Sequence, residues 1–201
     1  EFVKTVLPII INENQNILMI RSFVNDLKYK LETFKTLNNN ELRKLTDIAK
    51  KYNIKHLNKH KSDLVDEILS NVDIIPNSIV LAQAAIESGW GKSRFAKEYN
   101  ALFGEYTYDQ NKGVVPLERN IGDKHLIKSF SSYNNSVASY FTNINSHHAY
   151  AEFRTLRNYM RSKNNFSEIV LLVNKLNSYA ADNNYVETLN AVIEKNDFKK
   201  F

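Results

Sequence analysis

The chain has 201 residues, 43% of them hydrophobic and 24% charged, with a formal net charge of +5. That length and balance suit one well-cored globular domain, and no apolar run approaches the roughly 20 residues that a membrane-spanning helix needs. The absence of cysteine excludes disulfides, thiolate chemistry and cysteine-ligated metal. The lysines are scattered, without the basic, aromatic-interleaved runs of a nucleic-acid binder, so no nucleic-acid partner is expected. A mildly basic surface suits an anionic polymer such as a cell wall. The stretch opens on Glu1, so it is read as a trimmed piece, with a signal or membrane anchor expected outside it.

Residues 1–37 read as helical, with Ile17, Ile20, Phe23, Val24, Leu27, Leu31 and Phe34 at helical spacing. Asn38-Asn39-Asn40 ends that segment, and Asn40 is the expected cap of a second helix carrying Leu42, Leu45, Ile48, Ala49 and Tyr52. A Lys-, His- and Asn-rich loop follows, and Ser62 precedes a short helix with Leu64, Val65, Ile68 and Leu69. Pro76 fits the first turn of the next helix, where its missing N–H would be unpaired anyway. That helix runs to about Ser88, Gly89 and Gly91 stop it, and Ser93 caps a short helix through Arg94, Phe95, Ala96 and Tyr99.

Glycines and aromatics then mark residues 103–130 as a small β-lobe. Residues 103–108 are expected to pair with 112–115 across Asp109-Gln110-Asn111, with 125–130 as a third strand. Helical periodicity returns with Val137, Tyr140, Phe141 and Ile144 and continues through Tyr150, Phe153, Leu156 and Tyr159. Ile169, Leu172, Val173 and Leu176 mark a further stretch, and Tyr185, Val186, Leu189, Val192 and Ile193 the last helix. The fold class is therefore α+β, mainly α-helical. A single domain over residues 1–201 is expected, with an amino-terminal helical region over residues 1–75 and a core over residues 76–201 that contains the lobe 103–130.

The most informative run is residues 78–93, an apolar helix of small residues that ends in an acid, an aromatic and two glycines. An acid closing a buried helix is desolvated, which favours the protonated form a general acid requires. The plainer alternative is a solvated helix-terminal acid, although the helix dipole disfavours a carboxylate at that end. His147 and His148 are adjacent, with no third ligand at a metal-site spacing, and His148 reads as a packing and capping residue. His56 and His60 read as solvated. No metal and no cofactor are expected.

Ala82-Gln83-Ala84-Ala85-Ile86-Glu87-Ser88-Gly89-Trp90-Gly91, followed by Asn100-Ala101-Leu102-Phe103-Gly104, resembles the signature of the glucosaminidase domain of glycoside hydrolase family 73. Gly113-Val114-Val115-Pro116, Phe130-Ser131-Ser132-Tyr133 and Asn143-Ile144-Asn145-Ser146-His147-His148-Ala149-Tyr150 resemble its bacterial Bax-like branch, as does Tyr179-Ala180-Ala181-Asp182-Asn183-Asn184-Tyr185. The similarity covers nearly the whole chain. It departs in the lobe, where Tyr106-Thr107-Tyr108 and Lys112-Gly113 stand in place of that branch's cysteines, so a similar hairpin without a crosslink is expected.

The resemblance implies a lysozyme-like fold and an endo-β-N-acetylglucosaminidase. Its partner would be peptidoglycan, cut at the β-1,4 bond from N-acetylglucosamine to N-acetylmuramic acid. It also implies a periplasmic, envelope or secreted location, and a monomer is expected. Glu87 becomes the general acid. For a second carboxylate the lobe offers Glu105, Asp109, Glu118 and Asp123, with Glu118 the first choice and Glu105 the next; the alternative is assistance by the substrate's own 2-acetamido oxygen. Tyr179 is implied near the acid, orienting it or hydrogen-bonding the acetamido group. Trp90, Tyr106 and Tyr133 are expected to line the groove, because flat rings suit sugar faces. Asn100, Phe103 and Glu105 complete the expected contacts, with Asn100 either tying the helix end to the lobe or simply capping. A muramidase or lytic transglycosylase on a similar fold, and a non-catalytic glycan-binding domain, are the rival readings.

Overall fold

The computed structural model describes residues 1–55, 60–116 and 124–201. The fold is mainly α-helical with a small three-stranded β-lobe, consistent with the lysozyme-like fold that the resemblance implies. No described helix is long and apolar enough to cross a membrane. The chain divides into two compact units: Glu1–Glu13, Pro76–Phe141 and Glu187–Phe201 form the first, Asn14–Ile75 and Thr142–Val186 the second. Helices α1 (Phe2–Glu32), α6 (Tyr133–Ser146) and α9 (Tyr185–Lys195) contribute residues to both.

The first unit is built around α4 (Asn77–Glu87), in which every residue from Ser78 to Ala85 is buried. Alanines at 82, 84 and 85 let neighbouring elements approach on all sides of it. Pro76 stands at the cap position, one residue earlier than expected. The helix closes in a Schellman motif. Gly89 sits at φ +55°, its N–H reaches the Ile86 carbonyl at 3.2 Å, and the Trp90 N–H reaches Ala85 at 2.8 Å. Buried Ser88 donates to the Ala84 carbonyl and accepts from the Gly91 N–H at 2.8 Å. Ser93 caps α5 (Arg94–Tyr99) as expected, accepting from the Ala96 N–H at 3.1 Å.

The β-lobe is present at the expected place, but its pairing differs. Strands β1 (Tyr106–Thr107) and β2 (Gly113–Val114) do not pair with each other. Both run antiparallel to β3 (Leu126–Lys128), which lies between them. The two buried apolar side chains of β3, Leu126 and Ile127, explain the order: the most apolar strand takes the two-sided position. Gly113 permits the approach, since a Cβ there would stand 2.6 Å from both Leu126 Cβ and Thr107 Cγ2.

In the second unit, α1 ends at Glu32, short of the expected 37. Phe34 lies beyond it at φ +58° and is 99% exposed, so it is not a core residue. Helix α2 (Asn39–Lys51) is capped by Asn38 and not Asn40, because only Asn38 has a glutamate three residues on. Asn38 Oδ1 accepts from the Glu41 N–H at 3.0 Å, and the Glu41 carboxylate accepts from the Asn38 N–H at 2.9 Å. Helix α3 (Lys61–Asn71) starts one residue before Ser62. The periodic stretch 137–159 is broken at His147, whose Nδ1 accepts from the Ala149 N–H at 3.3 Å and caps a 3₁₀ turn; His147 thus takes the role expected of His148. Helices α7 (Ala151–Ser162) and α8 (Ile169–Val173) follow.

A buried charge cluster organises this unit around the segment after α3. Asp73 is fully buried and ion-pairs with Arg161 and, at 3.4 Å, with Arg21. Arg21 also donates to the carbonyls of Leu69 and Val72 at 2.6 and 2.7 Å, satisfying the end of α3. Arg157 donates to the carbonyls of Asn71, Asp73 and Ile74 and to Asn145 Oδ1, all within 3.1 Å. Burial pulls the Arg157 guanidinium down to about 9, so it remains charged at neutral pH. Replacing Asp73 by Asn leaves these guanidinium groups without their carboxylate. The expected cost is about 3 kcal/mol or more, read as a lower urea midpoint, and a loss under about 1 kcal/mol would show that the carboxylate is not their counter-charge.

Candidate active site

Glu87 is the last residue of α4 and is half-buried. Gly104 comes up against it. Gly104 holds φ +61°, a conformation that suits a residue without a Cβ, and a Cβ there would lie 3.5 Å from Glu87 Oε2. The backbone of the Phe103-Gly104-Glu105 turn therefore forms one wall of the carboxylate's surroundings.

Three contacts fix that turn to one face of α6. The Leu102 N–H donates to Ser136 Oγ at 3.1 Å. Phe103, buried, stacks on Tyr140 with ring centroids 4.2 Å apart and an interplanar angle of 19°. Ser139 Oγ donates to Glu105 Oε2 at 3.0 Å. Ser136, Ser139 and Tyr140 are three and four residues apart, hence on one helical stripe. The Tyr140 hydroxyl in turn donates to Gln83 on α4, one turn before Glu87. Acid, glycine and aromatic stack thus belong to one closed packing circuit.

Glu105 is a buried carboxylate, its side chain 4% exposed. Lys128 Nζ on β3 donates to its Oε2 at 2.8 Å and to Ser139 Oγ at 3.2 Å. The Lys128 N–H also donates to the Glu105 carbonyl at 2.8 Å. Oε1 of Glu105 is buried and has no hydrogen-bond partner among the described residues. Burial pushes this carboxyl above the usual carboxylate range, although the Lys128 charge and the hydrogen bonds from Lys128 and Ser139 pull the other way.

Asn100, Tyr106, Tyr133, Trp90 and Phe103 belong to the same unit. Asn100 performs both roles considered for it: it closes α5 at φ +52°, and its amide donates to the Phe130 carbonyl at 3.0 Å. Tyr106 is 63% exposed on β1 and leans on His125, with ring centroids 4.4 Å apart. Tyr133 opens α6 and is half-buried. Trp90 is 38% exposed and packs edge-on against Phe2 at 5.7 Å and tilted against Phe198 at 6.1 Å. It sits at φ +58°, a left-handed conformation unusual for a bulky side chain. Phe103 lies in the core against Tyr140. Tyr179 belongs to the second unit, half-buried, stacked on Tyr185 at 5.7 Å and near Tyr150 at 6.1 Å. Glu118 and Asp123 lie outside the described residues, as does His56.

Lys128 and Ser139 carry no motif, and sequence reasoning did not single them out. The serines at 136 and 139, on an otherwise buried helical stripe, were the available signal. Among the described residues no group of three or more His, Asp or Glu side chains gathers as a metal site.

The family model described as Glucosaminidase, mannosyl-glycoprotein endo-beta-N-acetylglucosaminidase, matches residues 62–198, which include Glu87, the β-lobe and Tyr179. The chain belongs to the glucosaminidase family. It is similar to Protein bax of Escherichia coli (strain K12), with 33% identity over 189 residues that make up 92% of this chain and 66% of that protein. It is also similar to the exo-glucosaminidase LytG of Bacillus subtilis (strain 168), with 28% identity over 130 residues, 62% of this chain and 45% of that one. This glucosaminidase chain therefore spans less than two thirds of either curated relative. The catalytic domain of the autolysin Auto from Listeria monocytogenes aligns over 94% of this chain and 96% of its own, at 18% identity and a TM-score of 0.48.

The raised Glu105 carboxyl fixes the sign of a pH effect. The folded state holds this proton more tightly than the unfolded state does, so Glu105's contribution is most favourable below the ordinary carboxylate range. It is lost as pH rises through the raised folded value. Glu105→Gln removes that dependence. Urea melts across pH 4 to 7 are expected to show the variant gaining stability relative to the parent as pH rises; a constant difference would mean that the carboxyl is not shifted upward.

Proposed function

We propose that this chain is a peptidoglycan hydrolase, an endo-β-N-acetylglucosaminidase that cuts the β-1,4 bond from N-acetylglucosamine to N-acetylmuramic acid. Membership of the glucosaminidase family supports the reaction class. The observation that carries the assignment to residues is the Glu87 carboxylate at the end of a helix buried from Ser78 to Ala85, with the Gly104 turn against its Oε2. A carboxyl at that place is suited to give a proton to the leaving glycosidic oxygen as the bond breaks.

Charge develops on the sugar as an oxocarbenium-like centre, and a second group must complete the displacement. Glu118 is our first assignment, activating water from the lobe; the substrate's 2-acetamido oxygen is the alternative. The resemblance supports a role for Tyr179 in orienting Glu87 or in hydrogen-bonding that acetamido group. The exposed ring of Tyr106 is suited to stack on a sugar face. Peptidoglycan glycan strands are the proposed partner, and a substrate outside the cytoplasmic membrane implies a periplasmic, envelope or secreted location.

Mass spectrometry of reducing-end-labelled products from purified peptidoglycan tests the bond. Products ending in reducing N-acetylglucosamine are expected. Reducing or 1,6-anhydro N-acetylmuramic ends would reassign the chain to the muramidases or transglycosylases, and release of single terminal sugars would replace the endo mode by an exo mode. Glu87→Gln is expected to lower turnover by about 10²–10⁴-fold, the usual worth of a general acid, with thermal stability and glycan binding nearly unchanged. Wild-type turnover in that variant would remove Glu87 from the role. Glu118→Gln is expected to cost about tenfold or more if it activates water, whereas an unchanged rate hands the step to the acetamido group or another acid.

A further inference from the structure

We propose that Glu105, Lys128 and Ser139 form a positioning device that holds the Gly104 turn against the Glu87 carboxylate, so that Glu105 serves the reaction through its place and not as the second carboxylate. The inference rests on the reading of Glu87 as the acid. It assigns a role to three residues that neither the motif nor the family match distinguishes.

Geometry carries it. Glu105 follows Gly104 directly, so consecutive Cα atoms about 3.8 Å apart link the triad to the wall of the acid. Both ends of Glu105 are held by β3 and α6. Its carbonyl accepts from the Lys128 N–H at 2.8 Å, and its Oε2 accepts from Lys128 Nζ at 2.8 Å and Ser139 Oγ at 3.0 Å. Phe103, on the other side of Gly104, is fixed by its stack on Tyr140, the next residue of α6 after Ser139. The turn is thus clamped on both flanks, and Gly104 between them lies beside Oε2 of Glu87.

The triad is a poor device for stability alone. A buried ion pair is often no better than apolar side chains of the same volume. This one also leaves Oε1 of Glu105 buried with no hydrogen-bond partner among the described residues. Nor is Glu105 built to activate water. Its side chain is 4% exposed, and its one hydrogen-bonded oxygen is already engaged by two donors. What the arrangement provides is fixed placement of a backbone turn. Lys128, 32% exposed in its side chain, keeps enough contact with water to tolerate a neutral partner.

The test compares Glu105→Ala, Glu105→Gln and Ser139→Ala. Gln retains an oxygen that accepts from Lys128 and Ser139, so a positioning role is rescued by Gln and a role as base is not. Glu105→Ala is expected to lower kcat at least tenfold with KM within about twofold, Ser139→Ala to lower kcat about threefold, and Glu105→Gln to keep a third or more of the parent kcat. Equal losses in Gln and Ala would overturn the proposal in favour of catalysis by the carboxylate itself. A readout without substrate accompanies the kinetics: the ¹³C carboxyl resonance of Glu87 in glutamate-labelled protein. It is expected to move in Glu105→Ala and to return toward the parent position in Glu105→Gln. An unmoved resonance in a folded Glu105→Ala variant overturns the positioning role, even if peptidoglycan proves not to be the substrate. Should Glu105→Ala fail to fold, Ser139→Ala removes one donor only and carries both readouts.

Discussion

The first unit depends on the burial of α4. A helix with eight consecutive residues out of water has no solvent-facing side on which to place a charge. Its buried Gln83 is satisfied internally by Tyr140, and its one carboxylate waits until the helix ends. Glu87 comes at that end, where the Schellman turn through Gly89 and Trp90 opens the packing. The same constraint selects the surroundings of the acid. A backbone turn lies beside it, and Gly104, at φ +61°, supplies that turn. The carboxylate is half-buried because the helix that carries it is buried up to its last turn.

The second unit solves a different problem with different means. Its organising group is a charge, Asp73, taken wholly out of water and met by Arg21 and Arg161, while Arg157 reads the neighbouring carbonyls. Desolvating such groups is expensive, and the expense is offset only where nearly every donor finds an acceptor. The network therefore specifies one path for the segment from Asn71 to Ile75, which leads directly into α4.

The helices, the stop after Glu87 and the presence of a β-lobe were legible in the sequence because each rests on local rules: apolar spacing, a serine cap at Ser93, glycines at a helix end. The corrections fall where a choice between neighbours was decided by a partner further along. Asn38 prevails over Asn40 because Glu41 reaches back to it. His147 caps in place of His148 because its ring, not the next one, meets the Ala149 N–H. The strand order in the lobe turned on which strand had two apolar faces to bury, a property of β3 that hairpin spacing does not report. In the candidate site, Glu87 was legible from its helix and from family resemblance. Lys128 and Ser139 were not, since a lysine and a serine 11 residues apart announce nothing until β3 and α6 bring them to one carboxylate.

Trp90 is the sole tryptophan of the chain. It lies three residues beyond Glu87, half open to water and flanked by Phe2 and Phe198. Its indole emission therefore comes from one place, the turn that follows the acid, and the second unit contributes tyrosine light alone. Excitation at the red edge of the indole band makes the protein its own optical probe. The wavelength of emission reports the wetness of that turn, and quenching by a dissolved small molecule reports access to it, without a label and without a mutation.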